Sequence, residues 1–323
     1  MSNKEKKTLV VALGGNAIKQ ADQEGTTQEQ FENVRETAKA IFKIIEEGEY
    51  KVIVTHGNGP QAGALLIQQE DSDRVPAQDM HVVGAMTQGQ IGYMIQQELE
   101  NELRKNDMED VPVSTVINQV RVDEDDPEFE GENASKPVGP FYTEEEAKRM
   151  ADERGYLVKE VDPSAEKSWR RVVPSPEPIE NMEADAISRM VNNGIVVIAS
   201  GGGGIPVVNK EGELKGVPAV IDKDRAGEKL AEVVNADKFM VLTDVEHARL
   251  NFGEPDEEKI EEMTVKEAQE YMDEGHFLAG SMGPKVQACM RFAENQNGEA
   301  IITHLDKSLQ ALEGKTGTHI IKE

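Results

Sequence analysis

The sequence predicts an α/β fold, a largely parallel sheet covered by helices on both faces, with a small subdomain let into it. Three observations carry this. Apolar runs of strand length alternate with segments of helical periodicity, glycine turns follow four of those runs, and one acidic, proline-bearing stretch breaks the alternation. Alternation of this kind entails right-handed crossovers and a sheet buried on both faces.

TLVVAL (8–13) reads as a buried first strand, closed by Gly14, Gly15 and Asn16. A helix follows with Phe31, Val34, Ala38, Ile41, Phe42 and Ile45 on one face. KVIVT (51–55) is the next strand and runs into HGNGPQAG (56–63); a long helix from about Val82 to Leu103 carries Met86, Ile91, Met94, Ile95 and Leu99 as its apolar stripe. VPVSTVI (111–117) is a further strand. From about Asn118 to Val173 the periodicity is weak, but Phe141, Tyr142 and Trp169 make a subdomain a better reading than a disordered linker. Alternation then returns: a helix around MEADAISRMVNNG, the strand IVVIAS, the turn GGGGIPVV, a strand in VPAVIDKD ending at Lys223, the helix AGEKLAEVVNA capped by Asp224, and the strand KFMVLTD. Helices near VKEAQEYM and GPKVQACMRFAENQ precede the strand AIITH and the closing THIIK. There is no internal repeat of solenoid length.

A chain of 323 residues, 37% hydrophobic, can bury a sizeable core as one large unit or two lobes. It contains no run of about 18 apolar residues. The basic start MSNKEKKTLVVALGG leads straight into a glycine turn and lacks a small-residue cleavage site, so it reads as a first strand, and the expected location is cytoplasmic. Cys289, the single cysteine, stands among Val286, Met290 and Phe292, as a small buried hydrophobe would. The formal charge of -27, from 62 acidic against 35 basic residues, argues against nucleic acid or an anionic membrane as partner. If the substrate is a phosphate, the few basic residues beside glycine turns must hold it against a repulsive global field. So acidic a surface also fits a protein adapted to high salt, where screening removes most self-repulsion; loss of fold or activity in molar KCl would contradict that.

The four turns, GGN (14–16), HGNGPQAG (56–63), SGGGG (200–204) and SMGPK (281–285), can converge on one crevice, because ligands of a doubly wound sheet sit outside the carboxyl ends of its strands. Backbone N–H groups exposed there favour an anion, and together the turns point to phosphate handling. A P-loop is a poor fit: GKT (314–316) has Leu309 where the first glycine belongs, and no helix follows. A dinucleotide site fares little better, since Asp79 lies at a suitable distance from Gly57 but follows the polar EDSDRVPAQ, not a second strand. Lys223 and Lys285 each stand at a helix start, where a cation is unfavourable without a bound anion. The alternative is two ordinary surface lysines. The six histidines form no HxxxH or HExxH pair, no serine lies in a GxSxG elbow, and His56 reads as a residue that orders its loop.

Taken together, VALGGNAI, THGNGPQ, SKPVGPFY, ASGGGGIPV, AVIDKD, VLTDVEHARLNFG and GSMGPKVQA resemble, in order and over almost the whole chain, the carbamate kinases of the amino acid kinase family. The resemblance implies a three-layer αβα sandwich of amino acid kinase type with a protruding subdomain at 118–173. Residues 1–210 would form the lobe for carbamate and carbamoyl phosphate, and 211–323 the nucleotide lobe. It implies the reaction ATP + carbamate = ADP + carbamoyl phosphate with Mg²⁺, run toward ATP in arginine fermentation, in a cytoplasmic homodimer. By the same resemblance, Gly14, Gly15 and Asn16 would line the transferred phosphoryl group; Gly57, Asn58 and Gly59 would enclose the carbamate, with Gly201 and Gly202 beside them. Lys223 and Lys285 would neutralise the transferring oxygens, Asp224 would hold both lysines, Lys136 would reach in from the subdomain, and Asp244 would border the nucleotide. Two other readings stay open on the residues: a sister phosphotransferase acting on another acceptor, and a nucleotide-binding regulator without catalysis.

Overall fold

The structure is a computed structural model that describes residues 6–20, 22–71, 74–277 and 282–323, without the side chain of Asn16. Among the described residues eight strands form the main sheet. Their spatial order is 262–264, 318–321, 299–304, 238–243, 7–13, 50–56, 196–198 and 113–115. Every neighbouring pair is parallel except 299–304 with 318–321. The largely parallel sheet predicted from alternation is therefore the one observed.

Side-chain period sorts the core into two layers. In the strand Lys7–Leu13, Val10 and Ala12 face a cluster with Phe239 of the neighbouring strand 238–243 and with Ile187, Leu230, Val286 and Phe292 of the helices Ala184–Asn192, Lys223–Val233 and Met282–Gln296. Leu9, Val11 and Leu13 face the other cluster, with Val34, Ile41, Ile91, Ile95 and Leu99 of the helices Thr27–Glu46 and Met80–Lys105. Both layers are dry: all five of those strand residues are at most 2% exposed. Three layers, helix on sheet on helix, follow directly.

Thr26 starts the first helix with a capping box, its hydroxyl accepting from Glu29 N–H while the Glu29 carboxylate accepts from Thr26 N–H. The excursion at 118–173 holds two different pieces. Its first strand, Gln119–Arg121, joins a side sheet with Ile205–Lys210, Glu213–Gly216 and Glu180–Asn181. Its later part is a separate three-stranded antiparallel sheet, Lys136–Tyr142, Trp169–Val173 and Val158–Glu160 in spatial order, with the helix Glu144–Arg154 packed on it. The weak periodicity reflects short strands whose residues are mostly half-buried rather than an absence of structure.

Four sequence readings need correction. Among the described residues the turn SMGPK follows the helix Val265–Asp273, not a strand. VPAVIDKD is not a strand: residues 217–222 are irregular, and the helix begins at Lys223. Its cap is Asp222, whose carboxylate accepts from the N–H groups of Asp224 and Arg225 at 2.9 and 3.4 Å. Asp224 thus lies inside the first turn and is freed for another task. The strand read as 111–117 shortens to Val113–Thr115.

Candidate active site

The chain passes from 7–13 to 50–56 on one side, while 238–243 flanks 7–13 on the other, so the carboxyl end of 7–13 is a switch point of the sheet, where ligands of such sheets bind in a crevice. Gly14 stands at that point. Its N–H donates to the Leu242 carbonyl at 3.0 Å, and a Cβ there would meet the same carbonyl at 3.1 Å. Gly14 therefore serves close strand packing, and Gly15 behind it lines the crevice in the short turn Gly15–Ala17. Asn16 has its backbone in that turn; its side chain lies outside what is described.

The loop HGNGP brings Gly57, Asn58 and Gly59 to the crevice wall. A side chain at Gly57 would touch the Lys223 stem, 3.0 Å from its Cδ, so the missing Cβ gives that lysine its path. The helix Gly59–Glu70 starts with proline in its first turn, and Asn58 turns its amide to Thr87 Oγ1 at 2.8 Å instead of capping. His56 is buried, its Nδ1 2.9 Å from the Gly57 carbonyl oxygen. Burial, aided by Lys223 and opposed by that carbonyl, lowers its pKa to about 4. A neutral, enclosed imidazole orders the loop, as its position in the sequence predicted.

The turn after Val196–Ile198 takes left-handed backbone at Ser200, Gly202, Gly203 and Gly204, with φ between 54° and 93°. Asn118 fixes it, its Oδ1 accepting from Ser200 N–H at 2.7 Å. A Cβ on Gly202 would lie 2.2 Å from Asn58 Nδ2, and one on Gly201 2.3 Å from His56 Nε2. Gly202 lines the crevice, whereas Gly201 packs on the histidine behind it.

The lysines converge from three elements. Lys223 Nζ donates to Asp224 Oδ1 at 2.7 Å, and Lys285 Nζ from the helix Met282–Gln296 lies 3.9 Å from Asp224 Oδ2. Lys136, at the start of its subdomain strand, donates to Asp222 Oδ2 at 2.7 Å. Burial would raise the Asp222 carboxyl, but the charge and hydrogen bond of Lys136, the Asp224 N–H and Lys223 outweigh it and hold the pKa at about 2. Burial lowers Lys285, with Asp224 opposing. Ser281 of the SMGPK turn lies outside the described residues. Asp244 follows the strand Lys238–Thr243, accepts from Thr243 Oγ1 at 2.9 Å and acts electrostatically on Lys285, but does not line the crevice.

The crevice encloses about 850 Å³ and is bordered by five cationic side chains, Lys19, Lys136, Arg170, Lys223 and Lys285, against two carboxylates, Asp222 and Asp224. A protein of formal charge -27 thus concentrates positive charge at one point. Backbone donors and lysines of this kind hold phosphoryl oxygens and need no proton acceptor. Among the described residues no group of three or more His, Cys, Asp or Glu could hold a metal ion. The two carboxylates of the crevice are each engaged by a lysine, a donor set that fits Mg²⁺ carried on nucleotide phosphates rather than in a protein cage. Sequence reasoning missed Asp222, Lys19 and Arg170. Asp222 carried a legible signal, an Asp just before a helical pattern, which the strand reading of AVID concealed.

Comparison with known proteins agrees with this geometry. Residues 7–304 match the amino acid kinase family. The carbamate kinase of Thermococcus kodakarensis is 57% identical over 320 residues, covering 98% of this chain and all of that protein. The carbamate kinase of Pyrococcus furiosus is 55% identical, covering 98% and 99%. Among solved structures, carbamate kinase from Giardia lamblia bound to AMP-PNP superposes with a TM-score of 0.90 at 44% identity, covering 99% of both chains. The chain belongs to the amino acid kinase family, among the carbamate kinases.

Proposed function

We propose that the chain catalyses ATP + carbamate = ADP + carbamoyl phosphate. The observation that carries this is the convergence of Lys223, Lys285 and Lys136 on two adjacent carboxylates beside the Gly15 and Gly57 turns, in a chain 57% identical to a carbamate kinase. A carbamate oxygen attacks the γ-phosphorus in line, an O–P bond forms, and the bond to the β,γ-bridging oxygen breaks to release ADP. No proton is abstracted, since carbamate is already anionic. Lys223 and Lys285 are assigned to the charge on the transferring and bridging oxygens, and Asp224 to holding both ammonium groups at fixed positions. Gly15, Gly57, Asn58, Gly59 and Gly202 are assigned to enclosing the reacting groups, Gly14 and Gly201 to supporting those turns from behind, and Asn16 to the phosphoryl group. Lys136 reaches the acceptor from the subdomain.

ATP and ADP are the nucleotide substrates, and Asp244 is assigned to the nucleotide's border. Mg²⁺ would be carried by the nucleotide phosphates, beside Lys223 and Lys285, and would supply further neutralisation of their negative charge. We assign residues 1–210 to the acceptor lobe, with the 118–173 excursion, and 211–323 to the nucleotide lobe; helix starts bearing Lys223 and Lys285 against turns from the first part support that division. No helix among the described residues is long and apolar enough to cross a membrane. A cytoplasmic homodimer working toward ATP synthesis is the expectation that the family likeness carries. ADP release from ATP that depends on ammonium bicarbonate, the source of carbamate, tests the reaction; release indifferent to it would contradict the assignment.

A further inference from the structure

The subdomain wall of the crevice carries a guanidinium that the proposed transfer has not used. Arg170 stands in Trp169–Val173, the middle strand of the three-stranded sheet, and lines the crevice. The partner strand shifts register between Val138 and Phe141, around Gly139 with φ of 70°. Arg170 Nη2 donates to the Gly139 carbonyl at 2.8 Å, and the guanidinium lies over the Phe141 ring, 4.8 Å from its centroid. These two contacts fix the fork in place. Its Nε is buried and, among the described residues, has no hydrogen-bond partner.

Each of the three lysines faces a carboxylate, whereas Arg170 has no ion pair among the described residues. Burial pushes its pKa down from its ordinary value. Arginine stays charged in proteins, so a half-buried guanidinium without a counter-ion is held at a cost that a bound anion would relieve. We infer that Arg170 is an anion-binding residue of the crevice, donating its remaining N–H groups to an oxygen of a small oxyanion, carbamate or carbamoyl phosphate. The substrate named rests on the kinase reading; the class of ligand rests on the guanidinium itself.

The test uses the full chain and two variants, Arg170→Gln and Arg170→Lys. Calorimetric titration with inorganic phosphate should show affinity at least about tenfold weaker in Arg170→Gln, the usual consequence of losing a charged hydrogen bond. KM for carbamoyl phosphate should rise by a similar factor while KM for ADP stays within twofold. Trp169, the only tryptophan, is the neighbouring residue, so its unchanged emission maximum reports an intact subdomain sheet. Unchanged phosphate affinity overturns the inference, as does an equal rise in both KM values with shifted Trp169 emission, which would mean that Arg170 only holds the Gly139 bulge. Should Arg170→Gln fail to fold, Arg170→Lys decides. Lysine lacks the rigid planar fork that reaches the Gly139 carbonyl and the anion from one fixed position, so KM for carbamoyl phosphate should still rise several-fold, and an unchanged value overturns the inference. If the unaltered protein makes no ATP from carbamoyl phosphate, the kinase reading fails, and the phosphate titration still decides the role of Arg170.

Discussion

Asp224 lies between two ammonium groups, 2.7 Å from Lys223 Nζ and 3.9 Å from Lys285 Nζ, with its side chain and that of Lys285 at most 5% exposed. Removing its charge takes an ion-pair partner away from the buried Lys285 and from Lys223. We predict that Asp224→Asn destabilises the fold by about 3 kcal/mol, the lower end for breaking a buried pair, and slows turnover as well. Lys223→Ala and Lys285→Ala should each slow turnover by on the order of 10² or more while the fold persists, by analogy with losing one oxyanion donor. Thermal unfolding alongside steady-state rates checks both; near-normal turnover in either lysine variant would remove that lysine from the site.

The Lys136–Asp222 pair ties the subdomain to the cap of the helix Lys223–Val233. Lys136→Ala should weaken carbamoyl phosphate use, and Asp222→Asn, which keeps an oxygen for the cap, should do so with little loss of stability. Initial-rate kinetics in varied carbamoyl phosphate checks this. An unchanged KM and kcat in Lys136→Ala would take it out of the site.

Gly202 combines φ of 64° with a Cβ position 2.2 Å from Asn58 Nδ2. Gly202→Ala must displace that amide and adopt a left-handed backbone, costing roughly 1–2 kcal/mol for the backbone alone. It should reduce both stability and turnover, whereas Gly212→Ala, also left-handed but with open space at its Cβ, should reduce stability only. Equal activity losses in the two would contradict the role given to the Gly202 turn.

Far from the crevice, Glu299 joins Lys238 and His319 at one end of the sheet. His319 hydrogen bonding and Lys238, working against burial, lower Glu299 to about 2, and Glu299, also against burial, raises His319. The lowered carboxyl contributes stability that is complete above its ordinary value of 4.5 and lost as pH falls toward 2; the raised imidazole contributes stability present below 6.5 and lost as pH rises through its folded value. Stability should therefore fall on both sides of that window, and Glu299→Gln should flatten both limbs. Chemical denaturation between pH 3 and 9 measures this; an unaltered profile in the variant would contradict it.

Glu228 behaves in the opposite sense. Burial and Glu232, against Lys229 and Arg291, raise its pKa to about 7, and its Oε1 has no hydrogen-bond partner among the described residues. Ionising it costs the folded state progressively as pH rises from 4.5 through 7. Glu228→Gln should raise Tm at pH 8 and leave it unchanged at pH 4, and a lower Tm at pH 8 would show that the carboxylate is needed.

The sheet was legible because its central strands are continuous apolar runs buried on both faces, and the first three glycine turns because each follows such a run. What escaped was long-range or irregular. Asp222 was hidden by an apolar AVI segment that packs without pairing, and Arg170 by a subdomain whose half-buried strands leave no periodic signal. Gly14 and Gly201 have the right motif but spend their missing Cβ on Leu242 and His56, a distinction that only the packing reveals.

The central claim is phosphoryl transfer to carbamate, and ³¹P NMR of the protein with ADP, Mg²⁺ and carbamoyl phosphate tests it most directly. The account predicts growth of the ATP γ-phosphorus signal at the expense of carbamoyl phosphate, at some ionic strength between dilute buffer and molar KCl. Absence of ATP across that whole range, with the protein folded, would contradict it.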